Sequence, residues 1–361
     1  MDVLLSDLRA RVILAQAARR PLFIRGGGSK AFYGLPVDGA ATLDMSPYQG
    51  LIDYQPSELV LTARAGTRLA EIESVLAAQG QMLAFEPPHF APGATLGGAV
   101  ATALSGPRRA SAGGVRDFVL GTRLLDAQGR VLRFGGEVMK NVAGYDVSRL
   151  LAGSLGTLGV ILDVSVKVLP LPACERSLCF EADEAGALDR LNRWAGRPLP
   201  ISASSWLDGP EGGRLTVRVS GSEPAVAAAC RTLGGERLDD AAAADWWRGL
   251  RDQTHPFLTA RPLWRLSVPP ATPPLGRGAT LIEWGGAQRW LCGEHDAGAL
   301  RAAAAAAGGH ATLFRPASQA QARELGVFQP LAPALATIHK RLKNEFDPSG
   351  VFNPGRMYPD L

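Results

Sequence analysis

Fourteen of the chain's 42 glycines fall in the 71 residues from Ala91 to Ile161, so a fifth of the sequence carries a third of them. The stretch opens with Ala91-Pro92-Gly93-Ala94-Thr95-Leu96-Gly97-Gly98 and closes with Gly153-Ser154-Leu155-Gly156-Thr157-Leu158-Gly159. Glycine loses more conformational freedom on folding than any other residue, so regular elements avoid it. Where it recurs, the backbone needs positive φ or close approach to something else. Gly-Gly and Gly-Ser/Thr turns beside strand-like segments form concave runs of N–H groups that suit phosphate. The stretch therefore reads as a wall around a large phosphate-bearing ligand.

From the N-terminus, apolar residues at helical spacing predict an amphipathic helix over 3–18, ended by Pro21. A short apolar strand, Leu22-Phe23-Ile24-Arg25, runs into Gly26-Gly27-Gly28-Ser29-Lys30. Gly26, Gly28 and Ala31 fit a relaxed GxGxxG/A fingerprint, but that motif needs a helix starting at the turn. Gly34, Pro36 and Gly39 follow instead, so this turn reads as a non-helical phosphate cradle. A strand at 59–64 leads to a helix over 68–79, with Thr67 as its cap and Gly80 closing it. His89, in a proline-rich loop, is a candidate to face the ligand.

Small residues at 99–103 predict a tight helix whose N-terminus meets the ligand. The segment 118–134 reads as a hairpin, 147–152 as a short helix, and 160–168 as a half-buried strand. Pro170 and Pro172 mark a domain boundary. Beyond it, strands near 177–181, 201–207, 214–219, 263–268, 279–284, 288–292 and 311–314 alternate with helices at 184–194, 223–233 and 297–307. This α+β alternation predicts an antiparallel sheet covered by helices. A closing helix over 331–346 precedes a polar turn, Asn353-Pro354-Gly355-Arg356, that returns to the first domain.

Composition removes several classes of function. A net charge of +4 over 361 residues, without a basic run interleaved with aromatics, argues against nucleic-acid binding. The four cysteines, Cys174, Cys179, Cys230 and Cys292, form no CxxC pair, so neither an iron–sulfur cluster nor a zinc site is indicated. The N-terminus lacks the regions of a secretory signal, and no run has the length of a membrane span, so a cytoplasmic protein is expected.

Six motifs in order, RGGGS (25–29), PGATLGG (92–98), SAGGVRD (111–117), KNVAGYD (140–146), GSLGTLGV (153–160) and FNPGR (352–356), resemble the FAD-linked oxidases of the vanillyl-alcohol oxidase/PCMH class. The resemblance covers the first 170 residues and the last 30 well and the middle weakly. Within the class, the run from Lys140 to Gly159 and the short chain are most similar to the FAD-binding subunits of bacterial glycolate oxidases. The fold implied is α+β: a PCMH-type FAD-binding domain of two α+β subdomains at 1–172, an antiparallel-sheet cap at 173–328, and a C-terminal helix and tail at 329–361.

By this resemblance, Arg25, Gly26, Gly27, Gly28 and Ser29, with Pro92, Gly93, Ala94, Thr95, Gly97 and Gly98, hold the pyrophosphate through backbone amides. Ser105, Gly106, Ala112, Gly113, Val160 and Ile161 line the flavin and its ribityl chain. Asn353 and Arg356 close over the ring. Arg116, Asp117, Lys140, Tyr145, Gly156, Thr157 and Gly159 join the cofactor site through their motifs. Two departures matter. Covalent members carry histidine where this chain has Ser29, so FAD is expected to bind non-covalently. Larger relatives read GSEGTLG where Leu155 stands here, and their histidine-rich GHxGDGNxH signature is missing.

Oxidising a 2-hydroxy acid needs a hydride acceptor, a cation for the carboxylate and a base for the hydroxyl. Arg261 and Arg265 are candidate cations and His255 a candidate base. The resemblance implies a subunit that works beside a larger FAD-linked glycolate oxidase subunit and an iron–sulfur subunit, through which it would meet the inner face of the membrane. A stand-alone FAD oxidoreductase for a 2-hydroxy acid or alcohol, and a flavin-free assembly subunit, are the alternatives.

Overall fold

The computed structural model describes residues 2–136, 146–209 and 212–361. Helix Val3–Ala17 starts where Asp2 accepts hydrogen bonds from the amides of Leu4 and Leu5, and it buries Leu8, Val12 and Ala15 along one face. That stripe packs on Leu22, Leu43, Leu162 and Phe352. Strand Leu22–Arg25 pairs in parallel with Ala41–Asp44. Its other edge is bridged by Phe352 from the tail.

Next along the chain is a five-stranded antiparallel sheet. Its spatial order is Leu51–Gln55, Val60–Arg64, Val160–Lys167, Val119–Leu125, Val131–Gly135. Helices Leu69–Ala77 and Leu96–Thr102 pack on its apolar face, with Leu61, Ala63, Val164 and Val166 at the centre of the core. Strand Val160–Lys167 was expected to be half-buried; it is the central strand, and seven of its eight residues are buried. The polar positions are matched across the sheet rather than exposed. Ser165 Oγ lies 2.8 Å from Thr62 Oγ1, and Asp163 meets Arg123. Thr67 does not cap the helix after it. Fully buried, its hydroxyl accepts from the Gly50 amide at 2.9 Å and donates to the Gly50 carbonyl at 3.2 Å, tying the first strand to the helix entry.

The second sheet has eight strands, all antiparallel, in the order Glu236–Arg237, Cys174–Glu181, Arg214–Gly221, Ile201–Leu207, Thr280–Glu283, Gln288–Cys292, Leu263–Ser267, His310–Arg315. Helices Glu184–Ala195, Glu223–Leu233 and Ala297–Ala306 cover it where the spacing predicted them. Helix Asp240–Arg251, not expected from the sequence, buries Ala243, Trp247 and Leu250. Trp247 Nε1 donates to Ser177 Oγ at 2.9 Å, which fastens the helix to the sheet.

The two sheets meet along a seam whose contacts are largely polar. Arg108 and Glu86, from the first half, pair with each other and with Glu175 and Arg218 from the second. Trp284 Nε1 donates to the Gly106 carbonyl at 3.0 Å. Tyr33 and Leu104 belong to the apolar cluster of the second sheet, beside Phe314 and Trp290. Helix Pro333–Phe346 ends at a buried lysine. Lys343 Nζ donates to Asp347 Oδ2 at 2.7 Å, to the Thr157 carbonyl at 2.8 Å and to the Phe352 carbonyl at 2.7 Å. Asp347 in turn accepts from the amides of Val351 and Phe352. The tail is thereby locked onto the Gly-rich turn at Thr157.

Candidate functional site

The turn after strand Leu22–Arg25 lies at the mouth of a groove in the first half. Among the described residues, the N–H groups of Gly27, Gly28 and Ser29 donate to no protein acceptor. Buried or half-buried amides almost always find a partner, so three consecutive free ones form an anion cradle. The glycines are required by space as well as by φ. A Cβ on Gly27 would lie 1.5 Å from the Gly93 carbonyl oxygen, and one on Gly26 would lie 2.4 Å from Thr95 Oγ1. Gly28 has φ of +74°. The two Gly-rich segments are thus packed backbone to backbone, with a groove between them.

Gly26 to Ala31 on one side and Thr95, Gly98, Ala101 and Leu155 on the other line a cavity of about 80 Å³. A second cavity of about 60 Å³, behind Met45, Ala65, Gly97, Gly156, Gly159 and Ile161, shares Ile24, Gly26, Thr95 and Leu155 with it. The division of labour differs from the expectation. The amides of Ala94, Leu96, Gly97 and Gly98 are already taken by Ala91, Thr67, Ala65 and Thr95. That side supplies mostly wall; among the described residues only its Gly93 and Thr95 amides stay without an acceptor, beside the three consecutive ones of the 27–29 turn. Pro92 is exposed.

Sequence reading passed over Lys30. It is buried and lines the groove, with its Nζ 3.4 Å from Ser29 Oγ and 5.5 Å from the Phe90 ring centroid. Burial pulls its ammonium down to about 8, against a small opposing pull from Asp252. A buried cation with no ion pair among the described residues, beside free amides, completes an anion site. The signal was present in Ser29-Lys30, but a lone lysine after a glycine turn carries no spacing that distinguishes it.

Asn353 and Arg356 also line the groove, but their polar atoms are committed to holding it rather than covering a ring. Asn353 Oδ1 accepts from the Ile24 amide at 2.8 Å and its Nδ2 donates to the Leu155 carbonyl at 2.6 Å. Arg356 donates to the carbonyls of Ala31, Tyr33 and Leu35, each at 2.8 Å. Burial lowers its guanidinium to about 10. Both residues fix the cradle from behind.

The remaining expected residues scatter. Val160 and Thr157 point away: Val160 sits in the core under the first helix, and Thr157 Oγ1 donates to the Ser154 carbonyl. Ala112 and Gly113 line neither cavity of the groove. Arg116 is exposed, and Asp117 accepts from the Gly114 amide as part of a turn. Lys140 and Tyr145 lie outside the described residues. Arg25 is exposed at the rim of the groove. His89 bonds to Glu73, with Nε2 3.1 Å from Oε1.

Ser105 and Gly106 line a separate cavity in the seam, of about 20 Å³, together with Phe90, Arg265, Glu283 and Trp290. Of the three catalytic candidates, this cavity includes only Arg265. Arg261 is exposed. His255 caps the short helix Pro256–Thr259, its Nδ1 accepting from the Phe257 amide at 3.2 Å. Burial lowers the His255 imidazole. Glu283, which periodicity places inside a strand, is the carboxyl the sequence reading missed.

With this geometry in place, the likeness to known proteins can be read. The family profile "FAD binding domain" matches residues 5–135. Glycolate oxidase subunit GlcE of Escherichia coli is 47% identical over 356 residues, covering 98% of this chain and 97% of that protein. Glycolate oxidase subunit GlcD of Bacillus subtilis is 30% identical over 196 residues, 53% of this chain and 41% of that one. The solved structure of an alkyldihydroxyacetonephosphate synthase superposes with a TM-score of 0.67 at 16% identity, covering 97% of this chain and 75% of that one, a likeness of fold. The cradle, its free amides and the glycines a Cβ would block fit FAD as the cofactor. The chain belongs to the FAD-linked oxidoreductase family that includes Escherichia coli glycolate oxidase subunit GlcE.

Proposed function

We propose that this chain is the FAD-binding subunit of a glycolate oxidase (dehydrogenase) complex, which oxidises glycolate to glyoxylate and passes electrons to partner subunits. The observation that carries this reading is near-full-length similarity to GlcE on a chain whose 27–29 turn leaves its amides free. FAD, when bound, supplies the hydride acceptor. The chain's own residues hold it: Gly27, Gly28, Ser29 and Lys30 take its phosphates, and the Gly97 and Gly156 walls admit the rest. Ser29 offers no nitrogen for a histidyl bond, so the flavin is held non-covalently. Residues 1–172 with 329–361 form the FAD-binding unit and 173–328 its cover.

In this reading a larger FAD-linked subunit and an iron–sulfur subunit complete the complex, which would account for the lack of a CxxC pair in this chain. Among the described residues, no helix is long and apolar enough to cross a membrane; in this reading the chain meets the inner membrane face through its partners. The test is affinity purification of the tagged chain from cells grown on glycolate. Yellow protein co-purifying with a second flavoprotein and an iron–sulfur protein is expected. A colourless chain, or a flavin-loaded chain without partners that turns over glycolate alone, contradicts the subunit reading.

A further inference from the structure

The seam contains a second polar cluster, separate from the groove. Glu283 ends strand Thr280–Glu283 and is 3% exposed. Its Oε2 accepts from Trp290 Nε1 at 2.7 Å and Gln288 Nε2 at 2.9 Å. Its Oε1 has no hydrogen-bond partner among the described residues. The cavity that Glu283 lines is also lined by Arg265. That guanidinium makes no ion pair among the described residues; one hydrogen bond, from Nη2 to Tyr33 Oη at 2.9 Å, and the rings of Tyr33 and Phe314 hold it. The arginines Arg108 and Arg218, by contrast, are paired with Glu86.

Around one void stand a carboxylate oxygen of a buried residue and a half-buried guanidinium, neither with an ionic partner among the described residues, and one ligand can satisfy both. An α-hydroxy carboxylate does so: its hydroxyl donates to a carboxylate oxygen, and its own carboxylate meets a guanidinium. We propose that this cavity is the recognition pocket for a small 2-hydroxy acid, with Glu283 Oε1 receiving the hydroxyl hydrogen and Arg265 the carboxylate, an inference that rests on the FAD-oxidoreductase reading above. At about 20 Å³, the void holds one or two waters, which the ligand displaces while Arg265 stays anchored by Tyr33 and Phe314. Phe90, Leu104, Trp290 and Phe314 give it apolar walls, and Gln253 and Arg251, the latter paired with Asp252, line it as well, so the ligand belongs to the smallest of its class. Ser105 and Gly106 bring the pocket against the Gly-rich half.

Calorimetry on the flavin-loaded chain, in the assembly with which it purifies, tests this with glycolate and with acetate, which lacks the hydroxyl. Wild type binds glycolate more tightly at pH 8.5 than at pH 6. Glu283→Gln weakens glycolate tenfold or more and removes that pH dependence while leaving acetate unchanged or tighter. Arg265→Gln weakens both ligands, and Arg265→Lys recovers part of the loss. Variants that bind both ligands as wild type does, or a flavin-loaded wild type that takes up no glycolate, overturn the pocket. A chain with no flavin overturns the underlying reading instead, and its glycolate titration still reports on the pocket.

Discussion

Glu283 carries a cost that a single substitution can expose. Its carboxyl is fully buried, receives two neutral hydrogen bonds, and is pushed up to about 7 by desolvation and by the charge of Glu86. In the unfolded chain the same group loses its proton near 4.5. Between these values the folded state binds the proton more strongly, so stability from this group is complete below 4.5, drains away as pH rises, and is gone above 7. The difference amounts to about 3 kcal/mol. Glu283→Gln keeps an oxygen for Trp290 and Gln288 but cannot ionise. Its advantage over wild type is therefore small near pH 4.5 and grows to about 3 kcal/mol above pH 7.5, roughly 4 °C in Tm for a cooperative chain of this size. Thermal unfolding followed by circular dichroism at pH 5 and pH 8.5 measures this. A variant no more stable than wild type at pH 8.5, or one with the same offset at both pH values, refutes the assignment of an unpaired buried carboxyl.

Other outcomes follow from the cradle and the tail. Gly27→Ala places a Cβ where the Gly93 carbonyl lies 1.5 Å away, so the purified variant should lose its flavin absorbance while keeping its far-ultraviolet circular dichroism. Lys30, with its ammonium lowered to about 8, must take up a proton to face phosphate above that pH. Affinity of the deflavinated protein for FAD should then fall up to tenfold from pH 8 to pH 9, and the decline should vanish in Lys30→Gln, as fluorescence titration will read. Asp347→Ala leaves the Lys343 ammonium buried beside two carbonyls and should cost about 3–5 kcal/mol by denaturant unfolding.

Most of the fold was legible because period and punctuation agree along the chain. Strands such as Ile201–Leu207 and Gln288–Cys292 and helices such as Glu184–Ala195 appear where alternation or capping residues put them. The failures have physical causes. Val160–Lys167 looked half-exposed because Asp163 and Ser165 alternate with valines, and only tertiary pairing with Arg123 and Thr62 shows that polar positions are buried. Thr67 reads as a cap in sequence, yet its hydroxyl is drawn to Gly50, 17 residues away. The cradle was visible in the glycines of 26–28 and 93–98, but which of their amides stay free depends on hydrogen bonds that only folding assigns. Glu283 was invisible for the same reason: an acid at the end of a strand is ordinarily solvated, and here Trp290 and Gln288 close over it.

The most direct test of the account is the absorption spectrum of the purified chain before and after acid precipitation. Non-covalent FAD in the Gly27–Lys30 cradle predicts flavin bands in the native protein and all of the flavin in the supernatant after precipitation. A chain that is colourless and takes up no FAD on titration, or one whose flavin stays in the pellet, contradicts it.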